Sequence, residues 1–214
     1  DGNVNTPRMM TYVLPDGTTG ETPMRTSMPE GAVGAFLPGK YYPSHQAVDF
    51  YHHYKEDIAL LAEMGLNCMR FSICWGRVFP KGIETEPNEE GMKFYEDVVD
   101  ECLKYNIQPL ITICHDEVPV YLASNHQGWL WRGTIDCYLN MCKALFERLG
   151  SKVKYWLTFN EINVLNGYSH LGTTECSEPV TYQCVHHMFV ASAKAIKMGH
   201  EMMPGAMFGT MYAS

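Results

Sequence analysis

The 214-residue chain lacks several patterns that would each point to a function of their own. No GxGxxG or GxxxxGK[ST] follows any stretch of strand type, which removes the dinucleotide-binding and P-loop readings of an α/β protein. No apolar run approaches the ~20 residues of a membrane-spanning helix. The opening, DGNVNTPRMM, has neither an initiator Met nor a signal-peptide pattern. The 16 Lys and Arg are scattered and outnumbered by 24 Asp and Glu, for a net charge of −8. This balance argues against nucleic acid and membrane surfaces as partners and leaves a small molecule. The eight cysteines, at 68, 74, 102, 114, 137, 142, 176 and 184, include no CxxC pair and no Cys/His spacing of structural-zinc type. Most lie in apolar runs such as NCMRFSICW and ITICHD, as reduced, buried thiols do, so the expected compartment is the cytoplasm.

What is present is a regular alternation. Residues 1–45 carry most of the Pro and Gly signals and no sustained period, and are expected to form a long irregular loop region. From residue 46 onward the pattern becomes periodic. Helices are predicted over 47–64, 88–105, 134–149 and 181–202, the second with Asn88 as N-cap and acidic residues in its first turn. Val48, Tyr51, Tyr54, Ile58, Leu61 and Met64 should form the apolar side of the first. Between and after the helices stand the strand-like segments NCMRFSICW, QPLITICH, VKYWLTFNE and AMFGTMYA. Near-continuous apolar strands alternating with helices mean a parallel sheet, either doubly wound or closed as a (βα)8 barrel.

Polar residues at the strand ends favour the barrel. Arg70 interrupts the first strand, His115-Asp116-Glu117 ends the second, and Asn160-Glu161 ends the third. In a (βα)8 barrel the carboxyl ends of the strands line the active site, where these groups would converge. Singly, each has a plain structural explanation, as a salt-bridge Arg, a core His or a loop carboxylate; together they would repeat one accident on three consecutive strands. The chemistry they suit is glycoside hydrolysis, which needs a protonated carboxylic acid and, in retaining enzymes, a second carboxylate about 5 Å away. Glu161 is the candidate acid/base. Asn160 and His115 are neutral donors suited to sugar hydroxyls, and Arg70 would orient a nucleophilic carboxylate. A metal site at Cys114, His115, Asp116 and Glu117 is disfavoured because adjacent strand residues alternate faces, so no metal and no cofactor is expected.

The segment TFNEIN resembles the acid/base motif of family 1 glycoside hydrolases, the β-glucosidase clan. YYPSHQAVDFYHHYKEDIALLAEMGLNCMRFSICWGRVFPKG resembles the first helix and second strand of its 6-phospho-β-glucosidase branch. ITICHDEVPVYLASNHQGWLWR is similar to the third-strand segment, and EPNEEGMKFYEDVVDECLKYNIQPL falls between them in order. The resemblance spans about residues 40–214 and implies an α/β fold, a (βα)8 TIM barrel of which this chain supplies about half, strands two to five. It implies that Glu161 is the general acid/base, that Asn160 contacts the sugar 2-hydroxyl, that His115 binds the glycone and that Arg70 lies beside the nucleophile. Trp129, in QGW, is either a substrate contact or a packing residue.

Two departures qualify this. Family members usually carry an aromatic residue after the histidine, where this chain has Asp116, an extra carboxylate beside the glycone. The seventh-strand T/S-E-N-G motif that holds the nucleophile, the first-strand Gln and the late Ser/Lys/Tyr phosphate-binding loop do not occur. Two expectations follow. One is a retaining β-glycosidase for (6-phospho-)β-glucosides, with the nucleophile supplied by a remaining barrel segment or a second chain. The other is a catalytically incomplete barrel fragment that binds a sugar or assembles with a complementary chain.

Overall fold

All four apolar stretches become strands of one parallel sheet. The computed structural model describes residues 9–23, 26–165, 167–175 and 177–214, apart from the side chain of Ser44. The strands are β4 (Cys68–Ser72), β5 (Gln108–Cys114), β6 (Tyr155–Phe159) and β7 (Met207–Gly209). Their spatial order is β4-β5-β6-β7, every pair parallel. Each crossover therefore adds the next strand on the same side. A doubly wound sheet reverses direction at a switch point, and this one does not. Four strands in unbroken order form a partial (βα)8 barrel.

The crossovers carry the long helices. Helix α1 (Phe50–Glu63) leads into β4; the short α2 (Trp75–Val78) and α3 (Glu89–Lys104) connect β4 to β5. Helices α4 (Val120–His126) and α5 (Thr134–Leu149) connect β5 to β6, and α6 (Tyr168–Leu171) and α7 (Glu178–Met202) connect β6 to β7. Helix α3 starts where its sequence says it should: the Asn88 side chain accepts from Gly91 N–H at 2.8 Å, and Glu89 and Glu90 occupy the first turn. Helix α5 spans the predicted residues. Helix α1 begins three residues later than its periodicity suggests, because Ala47 and Asp49 adopt left-handed φ of 47° and 52°, which a right-handed helix cannot contain. Of its six expected apolar contacts only Ile58 is fully buried, and Val48 and Met64 are exposed.

Register sorts the sheet into two unlike faces. Phe71, Ile111, Trp156 and Phe208 form one row across the four strands. That row packs on helices: Phe71 stacks with Tyr95 of α3, and both Trp156 and Phe208 meet Phe146 of α5 edge-on. Trp156 and Ile111 are fully buried there. The row beside it, Arg70, Leu110, Tyr155 and Met207, is exposed at both ends and half-buried between. A parallel sheet is ordinarily covered on both faces, and in a closed barrel this second face is filled by layers of side chains from the other strands.

Residues 9–34 differ from the irregular structure expected of them. They form an antiparallel sheet, β2-β1-β3, from β1 (Met9–Val13), β2 (Thr19–Pro23) and β3 (Val33–Gly34). Its turn is a short loop in which Asp16 accepts from Thr18 N–H and Gly17 takes φ 85°. A small apolar cluster of Met28, Ala32, Ala123 and Tyr168 anchors it over α4 and α6. Residues 1–8, 24 and 25 of that expectation lie outside the described residues, as does Cys176. Cys68, Cys74, Cys102, Cys114, Cys137 and Cys142 are free thiols, and no described helix is long and apolar enough to cross a membrane.

Candidate active site

Three of the four residues singled out in the sequence stand just past the carboxyl ends of β5 and β6, and the fourth, Arg70, stands mid-strand in β4, level with Leu110. Arg70 lies within β4, His115 directly follows β5, and Asn160 and Glu161 directly follow β6. Asn160 N–H donates to Cys114 O at 3.1 Å, one step past the last strand pair, so Asn160 comes alongside His115. Arg70 reaches across the intervening strand. Its Nε donates to Thr112 Oγ1 at 2.9 Å and its Nη2 to Asn160 Oδ1 at 2.8 Å. Arg70 and Asn160 are thus brought into contact over 90 residues of sequence. The remaining N–H groups of the guanidinium make no hydrogen bond among the described residues, and a guanidinium carries five.

Glu161 holds a φ of 39°, a left-handed conformation that costs a non-glycine residue of order 1 kcal/mol and persists only where the surroundings enforce it. The surroundings are evident on both sides. Phe159 is fixed by Met211 N–H and the Thr210 hydroxyl, both donating to its carbonyl. Beyond Glu161, the buried Ile162 donates to Met211 O at 3.3 Å. Asn163 then makes a two-way pair with Ala213, its Nδ2 donating to the carbonyl at 2.8 Å and its Oδ1 accepting the N–H at 2.9 Å. The Glu161 side chain is half-buried and makes no hydrogen bond or ion pair among the described residues. Its carboxylate is presented by the backbone, not restrained by neighbours.

Beneath this rim lies an aromatic layer. Phe159 stacks on Tyr138 at 4.8 Å between ring centroids and meets Trp129 at 5.5 Å, while Trp75 closes the group against Trp129 and Tyr138. Trp129 is fully buried, which identifies it as a packing residue and not a substrate contact. Its position depends on Gly128, at φ 54°, where an added Cβ would lie 2.2 Å from Leu171 O. The Trp129 carbonyl is held in turn by His187 Nδ1 at 2.8 Å.

The polar run after β5 diverges rather than converging. Exposed His115 has its Nε2 3.8 Å from Asp116 Oδ2, and His170 Nε2 of α6 lies 3.9 Å from the same oxygen. Asp116, at φ 63°, buries its other oxygen, Oδ1, without a hydrogen-bond partner. The next residue, Glu117, turns toward the start of α2 instead, where its Oε1 accepts the Trp75 N–H at 3.2 Å. Burial raises the Glu117 carboxyl above the ordinary carboxylate range. Cys114 donates to Glu117 O at 3.4 Å. Among the described residues no three His, Cys, Asp or Glu side chains come together to hold a metal ion. Burial also pushes the Cys74 thiol up to about 11 and the Cys114 thiol higher still, so both are neutral thiols and poor nucleophiles at neutral pH. Nothing in the sequence marks out Thr112 or His170. Asn163 stood beside the motif, where a polar residue in an apolar run signals a backbone to be satisfied; a partner for Arg70 on another strand leaves no local signal.

The chain matches the family model described as Glycosyl hydrolase family 1 over residues 38–214. It is 48% identical over 183 residues to the aryl-phospho-β-D-glucosidase BglA of Bacillus subtilis (strain 168), covering 80% of this chain and 38% of that protein. It is 46% identical over 180 residues to the 6-phospho-β-glucosidase AscB of Escherichia coli (strain K12), covering 81% of this chain and 38% of that protein. Among solved structures, the β-glucosidase from Thermotoga maritima in complex with castanospermine superimposes with a TM-score of 0.73 at 30% identity, over 82% of this chain and 41% of that one. The chain thus spans about two fifths of the length of the relatives it matches. It belongs to glycosyl hydrolase family 1.

Proposed function

We propose that the chain is the acid/base half of a retaining β-glycosidase that hydrolyses β-glucosides, 6-phosphorylated ones in particular. The observation that carries this is the Asn160-Glu161 pair at the carboxyl end of β6, with Arg70 reaching over β5 to Asn160. Glu161 protonates the leaving oxygen and then, as base, activates the water that releases the glycosyl-enzyme. Asn160 contacts the sugar 2-hydroxyl and His115 the glycone. Arg70, with guanidinium N–H groups to spare, orients and keeps ionised the carboxylate nucleophile. That nucleophile belongs to a remaining barrel segment beyond residues 46–214, and the described part of residues 9–45 serves within the βα connection before the first helix. The preference for phosphorylated substrates draws on the names of the relatives. The cysteines in apolar runs support a cytoplasmic enzyme.

The test is Glu161→Gln in the full-length polypeptide that carries this chain. Hydrolysis of substrates with poor leaving groups should be abolished, while activated aryl glycosides, which need little protonation, retain far more of their rate. Equal loss on both would remove Glu161 from the acid role.

A second reading is an incomplete barrel that binds a sugar or assembles with a complementary chain. It is favoured by the exposed row ending in Arg70 and Met207 and by the outer edges of β4 and β7, which have no strand partner among the described residues. Sedimentation of the chain expressed alone, with and without a β-glucoside, tests it: a monomer with no co-purifying partner that binds no sugar overturns this reading.

A further inference from the structure

We propose that Thr112 is a positioning residue for substrate recognition: its hydroxyl fixes the Arg70 guanidinium, and the guanidinium in turn fixes the Asn160 amide with its NH2 group toward the substrate. The proposal rests on Asn160 contacting the sugar 2-hydroxyl.

Thr112 is an anomaly in its strand. It stands in PLITIC between two isoleucines, its side chain wholly buried although it points to the open face of the sheet, in one row with Ser72 and Leu157. A buried hydroxyl needs a partner, and its partner is Arg70 Nε at 2.9 Å. Arg70 itself is exposed, on a long side chain whose free rotamers carry about 2 kcal/mol of entropy. One hydrogen bond to Nε, at the root of the planar fork, sets the plane of the whole guanidinium. With that plane set, Nη2 lies 2.8 Å from Asn160 Oδ1.

The consequence for Asn160 is chemical. Its amide has two ends of nearly equal size, one an acceptor and one a double donor, and shape alone does not choose between them. A guanidinium can only donate, so only Oδ1 can face Arg70. The NH2 group must then face away and offers donors alone. Asn160 therefore recognises the 2-hydroxyl as an acceptor oxygen, and the hydroxyl proton is left for another group. Thr112, two residues from the catalytic edge and on a different strand, determines which end of that amide the sugar meets.

The test compares two substrates on one preparation of the full-length enzyme, an aryl β-glucoside and its 2-deoxy analogue, so that the ratio of their kcat/KM values is independent of how much protein is folded. Thr112→Val keeps the β-branched shape and removes the acceptor. It should lower kcat/KM on both substrates, through Arg70 at the nucleophile, and about tenfold further on the parent glucoside than on the 2-deoxy analogue. Thr112→Ser, which keeps the hydroxyl, should restore the parent ratio. Asn160→Ala should reproduce the Thr112→Val pattern, and the double variant should lose little more. Equal loss on both substrates in Thr112→Val, or no loss at all, overturns the role of Thr112 if Asn160→Ala remains selective. Equal loss on both in Asn160→Ala overturns the 2-hydroxyl contact and the proposal with it.

Discussion

Arg70 Nη2 and Asn160 Oδ1 stand 2.8 Å apart although their strands are not neighbours. β5 lies between, and adjacent strands are about 4.8 Å apart, so the contact bridges roughly two strand spacings. Only a long side chain on the open face can do this, and it does so over the Thr112 hydroxyl. The bond ties the second and fourth strands of the family barrel together at the level of the proposed site.

Arg70→Lys tests whether fork geometry or charge is what the bridge supplies. A lysine ammonium is a compact point charge and cannot keep the Thr112 and Asn160 bonds together in the same plane. The charge survives, yet kcat/KM should fall by about tenfold or more. Steady-state kinetics of the full-length enzyme would measure this, and near-parent activity in Arg70→Lys would reduce Arg70 to a charge.

Asn163 should matter to catalysis without touching substrate. Its paired bonds to Ala213 hold the loop that keeps Glu161 in the left-handed region. Asn163→Ala removes both, and one or two lost hydrogen bonds correspond to a fall of about 2–4 °C in unfolding midpoint for each kcal/mol in a chain of this size. The kcat should fall while KM changes little, because the acid is misplaced rather than the sugar contacts. A loss confined to KM would contradict this.

Glu117 predicts a pH dependence. Burial raises its carboxyl above the ordinary value of about 4.3, so the folded chain holds this proton more tightly than the unfolded chain. Stability contributed by the protonated form is therefore lost as pH climbs from the ordinary carboxylate range through the raised value. Glu117→Gln keeps the oxygen that accepts the Trp75 N–H and removes the ionisation. Between about pH 4 and about pH 7, the variant's unfolding midpoint should gain on the parent's as pH rises. Parallel curves would contradict the burial cost.

Much of the architecture was legible because it is written locally. Helix α3 has its cap at Asn88, α5 spans the predicted 134–149, and the strands carry apolar runs broken only at their ends. His115, Asn160 and Glu161 were legible as polar residues at matching strand ends, and Arg70 as a polar interruption within an apolar strand. The small β1–β3 sheet was not. Its strands are short and half-exposed, and one of them, TGETP, carries no apolar alternation. The exposed Val48 and Met64 misled because periodicity reports which face is apolar, not whether anything covers it. Trp129 required the structure, since an aromatic residue in a loop reads alike as packing or as contact. The Thr112 anchor was invisible, because nothing within β5 announces a partner on β4.

The central claim is that Glu161 is the acid/base and that its partner carboxylate lies outside these 214 residues. Glu161→Ala in the full-length enzyme, assayed on an activated aryl glycoside with and without azide, tests it most directly. The covalent intermediate still forms on the intact nucleophile, and azide, needing no general base, attacks it. The predicted result is a restored rate and a β-glycosyl azide of retained configuration. An α-glycosyl azide would make Glu161 the nucleophile, and no rescue at all would remove it from the reaction.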